Sequence, residues 1–185
     1  MKLLVGLGNP GKEYEKTWHN LGFETVQLFS KQIGATDFKL KKKLKSLVAD
    51  TTIGEEKIIL ALPQTFMNKS GEAVRELISF YKINLTDLWV IHDEIELEIG
   101  SIKISTNVSG AGHRGVQSII DALGSQVFTR FRIGIRSERQ GQIPTEDFVL
   151  QKYDRKTVEP IIKKTSAAIQ AALAAGLAKA QNQFH

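Results

Sequence analysis

The sequence contains no cysteine. A chain without thiols has no disulfide scaffold, no cysteine nucleophile and no thiolate metal site, so these three classes are excluded. The absence of cysteine is also consistent with a reducing compartment. We therefore expect a cytoplasmic protein.

Long apolar runs are missing as well. No segment approaches the roughly 20 apolar residues that a membrane-spanning helix needs. The apolar stretch at the N-terminus is interrupted by Gly6 and Asn9, which makes it too short for the core of a signal peptide. The G-x-S-x-G motif of a serine nucleophile and the H-E-x-x-H motif of a zinc protease are absent too. We expect no membrane partner, no serine nucleophile and no metal.

The composition is that of an ordinary globular protein. The chain has 185 residues, of which 42% are hydrophobic and 24% are charged, and this fits a single domain over residues 1–185. The formal net charge is +5. A positive balance fits a polyanionic partner, but charge alone favours the plainer explanation of an excess of solvated lysine.

Apolar runs typical of strands alternate with amphipathic stretches typical of helices. Strands separated by helices predict an α/β protein, here a three-layer α/β/α sandwich around a twisted, mostly parallel mixed sheet. Ser70 and Asp154 are suited to cap the helices that follow them, and residues 181–185 are expected to fray. The predicted strands are 1–7, 38–49 (a strand or a hairpin), 57–62, 88–91, 101–105 and 131–135; the predicted helices are 21–33, 70–81, 116–123 and a long one after residue 154.

A glycine-rich loop after the first strand invites a comparison with dinucleotide-binding proteins. Gly6, Gly8 and Gly11 satisfy G-x-G-x-x-G, but that fingerprint requires the third glycine to open a helix. The residues after Gly11 are charged and aromatic, and the acidic residue expected about 20 positions later is missing. We therefore expect no dinucleotide, and no other cofactor is indicated.

Four polar loops each follow a predicted strand. The carboxyl ends of parallel strands meet at one edge of a sheet, where ligands bind in open α/β folds. We therefore expect these loops to form one cleft. They are residues 6–20 with Asn9 and His19, 63–71 with Asn68, 92–94 with Asp93, and the glycine-rich turn 109–115 with His113 and Arg114.

The residue types in these loops predict an acid–base site. His19 is the candidate general base, since an imidazole takes up a proton near neutral pH. Asp93 is placed to accept a hydrogen bond from its other ring nitrogen and to stabilise the imidazolium. Asn9 and Asn68 are candidates for holding an oxyanion or a substrate amide. Because the chain offers no cysteine and no serine motif, the expected nucleophile is water.

Each of these residues also has a structural explanation, and the residues alone leave both open. A histidine beside an aspartate is more often a structural pair than a catalytic one. Phe66 and Met67 are more often core than pocket, and His92 is equally explained as a satisfied partner in its own turn. The remaining structural explanations are a turn at 9–11, a helix start at 68–70, and an anion-binding helix start or a plain loop at 113–114.

Several ordered motifs together resemble those of the bacterial peptidyl-tRNA hydrolase family, from nearly one end of the chain to the other. A set of motifs in the right order is far more specific than any one of them. The matching motifs are VGLGNPG at 5–11, Tyr14, HNLGF at 19–23, PQTFMNKSG at 63–71, HDE at 92–94, Gly112 and His113 with Gly115, and RFRIGI at 130–135.

The resemblance implies a metal-free, monomeric enzyme of the cytoplasm that hydrolyses the ester between a peptide and the 3′ ribose of tRNA. It implies that His19 accepts the proton, that Asp93 is its partner, and that Asn9 recognises the peptide. The residues that it implies in substrate and tRNA binding are Tyr14, Phe66, Met67 and Asn68 in the cleft, His113 and Arg114 beside it, and Lys103 and Arg132 on phosphate. The basic segment 39–45 either extends this positive charge or simply faces solvent.

Two positions depart from the family pattern. Arg114 stands where the family has an asparagine that binds substrate and water; since arginine cannot accept a hydrogen bond, its role changes, and phosphate binding is the alternative. Ser105 stands where a second basic residue is expected, which weakens the phosphate clamp. Two rival functions remain at this point. One is a protein that holds RNA without cutting it, and the other is a hydrolase of small acylated substrates.

Overall fold

A seven-stranded mixed sheet forms the middle layer of the molecule. The computed structural model describes residues 1–137 and 143–185. The strands are β1 Lys2–Gly6, β2 Lys39–Lys41, β3 Ser46–Ile53, β4 Glu56–Pro63, β5 Leu88–Glu98, β6 Ile102–Thr106 and β7 Thr129–Arg136. Their order across the sheet is β2-β3-β4-β1-β5-β7-β6, which places the N-terminal strand at the centre.

Parallel pairing is confined to the middle of this sheet. Strand β1 runs parallel to both β4 and β5, and β5 runs parallel to β7. The outer pairings, β2 with β3, β3 with β4 and β6 with β7, are antiparallel. The prediction of an α/β protein with a mixed sheet is confirmed, and the parallel centre brings the carboxyl ends of β1, β4 and β5 to one edge.

Helices cover both faces of the sheet because side chains alternate along each strand. Leu4 and Ile91 point into an apolar cluster with the helices Leu21–Gln32 and Arg155–Ala175, whereas Val5 and Val90 point into another cluster with the helices Ser70–Tyr81 and Arg114–Leu123. No helix within residues 1–137 and 143–185 has the length and hydropathy to cross a membrane. The helices are α1 Leu21–Gln32, α2 Ser70–Tyr81, α3 Arg114–Leu123, α4 Thr145–Phe148, α5 Arg155–Ala175 and α6 Leu177–Phe184.

Strand β5 is longer than the sequence predicts. The apolar run ends at Ile91, and residues 92–94 were expected in a loop, but the strand continues to Glu98. Its neighbour β7 supplies backbone partners for residues 89–94, with Asp93 opposite Ile133, and after a register shift again for Glu98, opposite Arg136. The expectation of a loop is wrong because these hydrogen bonds hold polar residues in the strand. Asp93 therefore lies on a rigid element.

The C-terminus is ordered, which contradicts the expected fraying. Gly176, with φ 89°, separates α5 from α6 and turns the chain back towards the sheet. Gln181 Nε2 donates to the carbonyl of Ile104 (3.1 Å), and the amide of Ile104 donates to His185 Nε2 (2.8 Å). Strand β6 is the last strand of the sheet, so its outer backbone groups would otherwise lack protein partners. Residues 177–185 therefore cover an exposed sheet edge.

The two predicted helix caps have different outcomes. Asp154 accepts a hydrogen bond from the amide of Thr157 (3.3 Å), which confirms it as the cap of α5. Ser70 is not a cap, because it is already the first residue of α2 and its hydroxyl donates to the carbonyl of Met67 (2.9 Å). The 3-10 turn Met67–Lys69 leads directly into this helix and leaves no capping position for Ser70.

Candidate active site

A cleft opens at the carboxyl ends of β1, β4 and β5, where the sequence predicts it. The loops after β1 and β4, the polar part of β5 and the start of α3 all contribute, and α4 forms the opposite rim. The side chains that carry the argument below are those of Asn9, His19, Met67, Asn68, Asp93 and His113.

His19 reaches this cleft through the close packing of α1 against the sheet. It lies in a 3-10 turn, Trp18–Asn20, directly before α1, and its backbone amide donates to the carbonyl of Val149 (2.9 Å). A Cβ atom on Gly22 would lie 2.3 Å from the carbonyl oxygen of Ile91, so only glycine allows this approach. The helix start therefore rests on β5, two residues before Asp93.

His19 and Asp93 form the predicted pair. His19 Nδ1 lies 2.8 Å from Asp93 Oδ2, and both residues are buried. Burial by itself raises the pKa of the Asp93 carboxyl, but the charge and hydrogen bonds of the His19 and His113 imidazoles outweigh it and hold that pKa well below its usual value. An ionised Asp93 only accepts hydrogen bonds, so Nδ1 of His19 carries a proton and Nε2 is the basic nitrogen of the neutral ring.

His113 holds the other oxygen of the same carboxylate. Its Nε2 lies 3.0 Å from Asp93 Oδ1, while its Nδ1 accepts hydrogen bonds from the amides of Gly115 (3.2 Å) and Val116 (3.3 Å). Because Nδ1 accepts, the proton of the neutral ring is on Nε2 and is donated to Asp93. The first turn of α3 thus fixes the tautomer of His113. It also uses the amides that an anion would need, so an anion-binding helix start does not describe this segment.

Asn9 connects two of the loops. Its Oδ1 accepts a hydrogen bond from the amide of Met67 (2.7 Å), which leaves its Nδ2 as the group it can offer to a substrate. Asn20 holds the backbone of Asn9 from both sides: Asn20 Oδ1 accepts from the amide (2.9 Å), and Asn20 Nδ2 donates to the carbonyl (3.0 Å). Sequence reasoning assigned no role to Asn20, although its place beside His19 was a signal.

The loop after β4 forms an aromatic and amide rim. Asn68 lines the cleft, Met67 is buried below it, and Phe66 lines it with 56% of its surface exposed. Tyr14 packs edge-on against Phe66, with ring centroids 6.2 Å apart, and supports that ring from outside the cleft wall. Phe66, Met67 and Asn68 thus line the cleft directly, whereas Tyr14 contacts Phe66 from outside it.

Of the predicted basic residues, Lys103 and Arg132 are brought together as a directly opposed pair on β6 and β7, whereas the other basic groups lie apart from them. Arg114 lies on the cleft wall, where its Nη2 donates to Glu146 of α4. Arg132 donates through Nε to the buried Glu94 (3.0 Å), and Lys103 lies opposite Arg132 on β6. The basic segment 39–45 includes β2, at the far edge of the sheet from Lys103, where edge lysines also discourage strand addition.

His92 is buried directly before Asp93 on β5. Its Nδ1 lies 2.6 Å from the backbone carbonyl of Asp93, so it carries the proton and donates. Burial, followed by the nearby His113, lowers the pKa of His92 well below its usual value. The ring is therefore neutral, and its Nε2 is a bare acceptor.

Three ligand atoms here also lie close enough to suggest a metal site. His19, Asp93 and His113 each offer one within 4.8 Å of the others. A metal bound at His113 Nε2 would require the proton on Nδ1, but Nδ1 already accepts from two backbone amides. The amide N–H groups of Gly115 and Val116 would then point at the N–H of His113 Nδ1, which is unfavourable. This set of side chains is therefore poorly suited to a metal ion.

Comparisons with known proteins show the family of the chain. The curated "Peptidyl-tRNA hydrolase" of Carboxydothermus hydrogenoformans is 43% identical to the chain, covering 100% of the chain and 98% of that protein. That of Mycoplasma mycoides subsp. mycoides is 46% identical over 83% of the chain and 81% of its own length. The crystal structure of peptidyl-tRNA hydrolase from Acinetobacter baumannii has a TM-score of 0.88 and 29% identity, covering 100% of the chain and 94% of that protein. The family model for peptidyl-tRNA hydrolase matches residues 3–185, and the chain belongs to the peptidyl-tRNA hydrolase family.

Proposed function

We propose that this protein hydrolyses the ester that joins a peptide to the 3′ ribose of tRNA, with a water molecule activated by His19 as the nucleophile. The observation that carries the proposal is the fixed chain His19–Asp93–His113 at the end of the cleft. The carboxylate determines which nitrogen of His19 is basic, and the amide groups of Asn9 and Asn68 flank the same space.

The reaction begins when Nε2 of His19 removes a proton from water as the oxygen attacks the ester carbon. The imidazolium that forms is stabilised by the ionised Asp93 at 2.8 Å. When the tetrahedral intermediate collapses, the ribose 3′ oxygen leaves and takes the proton back from Nε2. Peptide acid and tRNA hydroxyl are released, and the ring returns to its starting form.

Asn9 and Asn68 are placed to handle the acyl part. The Oδ1 of Asn9 is occupied by the Met67 amide, so its Nδ2 is available to donate to a carbonyl of the peptide or to the developing oxyanion. Asn68 offers a second amide from the rim. A blocked α-nitrogen presents a peptide carbonyl to these donors, whereas a free amine does not, and this difference would spare aminoacyl-tRNA.

The rim of the cleft offers an aromatic surface to the RNA end of the substrate. Phe66, supported by Tyr14, presents an exposed ring of the kind on which single-stranded bases stack. Lys103 and Arg132 supply cations for phosphate, and Arg114 is a further candidate, although Arg132 is paired with Glu94 and Arg114 with Glu146. The proposal also includes a metal-free reaction, a monomer and a cytoplasmic location, each supported by the family resemblance.

The test is ester release from N-acetyl-aminoacyl-tRNA. Wild-type protein should release the acyl group rapidly, and His19→Ala should retain the fold but lose nearly all turnover. His185→Ala removes an imidazole far from the cleft and should stay active. Normal hydrolysis by His19→Ala rejects His19 as the base. Tight tRNA binding without cleavage by wild type shows a protein that holds RNA. Cleavage of small acyl esters but not of acyl-tRNA shows a hydrolase of small acylated substrates.

A further inference from the structure

A buried polar cluster lies behind the active site, on the face of the sheet that α3 covers. Its members are Arg130 of β7, Ser105 of β6 and His92 of β5. Ser105 pairs directly with Arg130, and Arg130 pairs with Val90, two residues before His92. Directly opposed side chains share one face of a sheet, as do residues two apart on a strand, so Ser105 and His92 flank Arg130 on the same face.

Arg130 is unusual because its charge is enclosed. The residue is 1% exposed, and Nη1 donates to the carbonyl of Ser109 (2.7 Å). Among the residues that the structure describes, its Nε and Nη2 have no hydrogen-bond partner. Burial, and then the neighbouring Arg132, lower the pKa of Arg130 to about 10, so the guanidinium remains charged at neutral pH. Buried donors of this kind are costly to leave unsatisfied.

The neighbouring groups complement those donors. His92 Nε2 is a bare acceptor, and Ser105 Oγ both donates and accepts; neither has a partner within the described part of the chain. A water molecule can accept from the guanidinium and donate to the imidazole nitrogen at the same time. Enclosed waters typically make two to four such bonds.

Two routes lead from Arg130 to Asp93. In the first, Nη1 anchors the carbonyl of Ser109 at the start of the turn 109–112, which delivers His113 to Asp93 Oδ1. This turn includes Ala111 with φ 47°, an uncommon conformation that needs support from its surroundings. In the second, Arg130 lies on the same face of the sheet as His92, and Nδ1 of His92, the ring nitrogen other than the bare Nε2, donates to the backbone carbonyl of Asp93.

We propose that Arg130 is a positioning residue for hydrolysis, which fixes Asp93 through the Ser109–His113 turn and through an enclosed water shared with His92 and Ser105. The inference rests on the proposed roles of His19 and Asp93. It gives a function to a buried charge that touches no substrate.

The test compares Arg130→Met, which keeps the length of the side chain, with Arg130→Lys, which keeps a cationic donor. Misplacing a reactive group typically costs about 10- to 100-fold in rate, so kcat of folded Arg130→Met should fall by that amount while KM changes little. Arg130→Lys should recover part of the loss. Arg136→Met, an exposed position on the same strand, is the matched control and should retain wild-type kcat. A folded Arg130→Met with kcat within twofold of wild type overturns the proposal.

A double variant separates positioning from general loss of structure. If Arg130 acts through Asp93, then adding Arg130→Met to Asp93→Asn should reduce kcat no further, because groups that act as a unit are not additive. Equal losses in both backgrounds overturn the proposal. If the proposed mechanism itself is wrong, Asp93→Asn alone should hydrolyse the substrate at the normal rate.

A wild-type crystal structure provides a test that needs no variant. We expect a water molecule within hydrogen-bond distance of His92 Nε2 and of Arg130 Nε or Nη2. A structure with no water molecule between His92 Nε2 and Arg130 overturns the part of the proposal that runs through His92.

Discussion

His113 Nε2 donates to Asp93 Oδ1 across 3.0 Å, on the opposite side of the carboxylate from His19. Since the amides of Gly115 and Val116 determine the tautomer of His113, this donor cannot switch to an acceptor without uncapping α3. The orientation of Asp93, and with it the basic nitrogen of His19, is therefore determined by the start of a helix.

His113→Ala should lower both activity and stability. The variant leaves Asp93 with one imidazole, so we expect kcat to fall by about 10- to 100-fold. The lost cap of α3 should lower the free energy of unfolding by about 0.5–2 kcal/mol. His113→Gln keeps a donor for Asp93 and should recover part of kcat. Steady-state kinetics and urea unfolding measure both effects, and a kcat for His113→Ala within twofold of wild type contradicts the assignment.

Stability should fall as the pH drops below the ordinary pKa of histidine. Burial holds the pKa of His92 well below its usual value, so below pH ~6.5 the unfolded chain binds a proton that the folded chain does not. The free energy of unfolding should therefore decrease by about 1.4 kcal/mol per pH unit until the pH reaches the lowered pKa. The low pKa of Asp93 adds its own loss only below pH ~4.

Urea unfolding between pH 7.5 and 5 measures this slope. His92→Gln should flatten it, because the variant has no imidazole at this buried position. An unchanged slope in His92→Gln shows that another group is responsible.

Glu146→Gln should strengthen substrate binding. The change releases Arg114, whose ion pair with Glu146 is exposed on both sides. Exposed pairs contribute about 0.2–1 kcal/mol, which corresponds to about a 1.4- to 5-fold lower KM for a tRNA substrate, with a steeper salt dependence. Asp147→Asn removes the same charge from α4 without touching the pair and should lower KM less. Equal effects of the two variants indicate that only net charge matters.

Removal of residues 177–185 should destabilise the fold with little effect on the chemistry. The truncation uncovers the backbone of Ile104 on the last strand and exposes the buried Ala180. We expect a melting temperature lower by about 5 °C or more and some association through the uncovered edge. Thermal unfolding and sedimentation provide the measurement, and an unchanged melting temperature contradicts the role given to this segment.

The sequence predicts the centre of the site better than its support. Asn9 and Asp93 follow apolar runs, so parallel pairing places them at the carboxyl edge. His19 reaches the same edge through the packing of α1 at Gly22, which the sequence does not show. The tautomer of His113 and the enclosure of Arg130 depend on contacts between distant segments, which no local pattern contains. In the same way, the length of β5 depends on β7, and the order of residues 177–185 depends on the edge of β6.

The central claim is that Asp93 determines which nitrogen of His19 is basic, and the single-turnover rate of Asp93→Asn tests it most directly. His113 would hold the amide oxygen of the new Asn, so its NH₂ group would face His19 Nδ1, and the ring proton would move to Nε2 and block the base. The rate of ester release from N-acetyl-aminoacyl-tRNA should then fall by about 10³- to 10⁴-fold in a folded protein. A rate within tenfold of wild type would contradict the account.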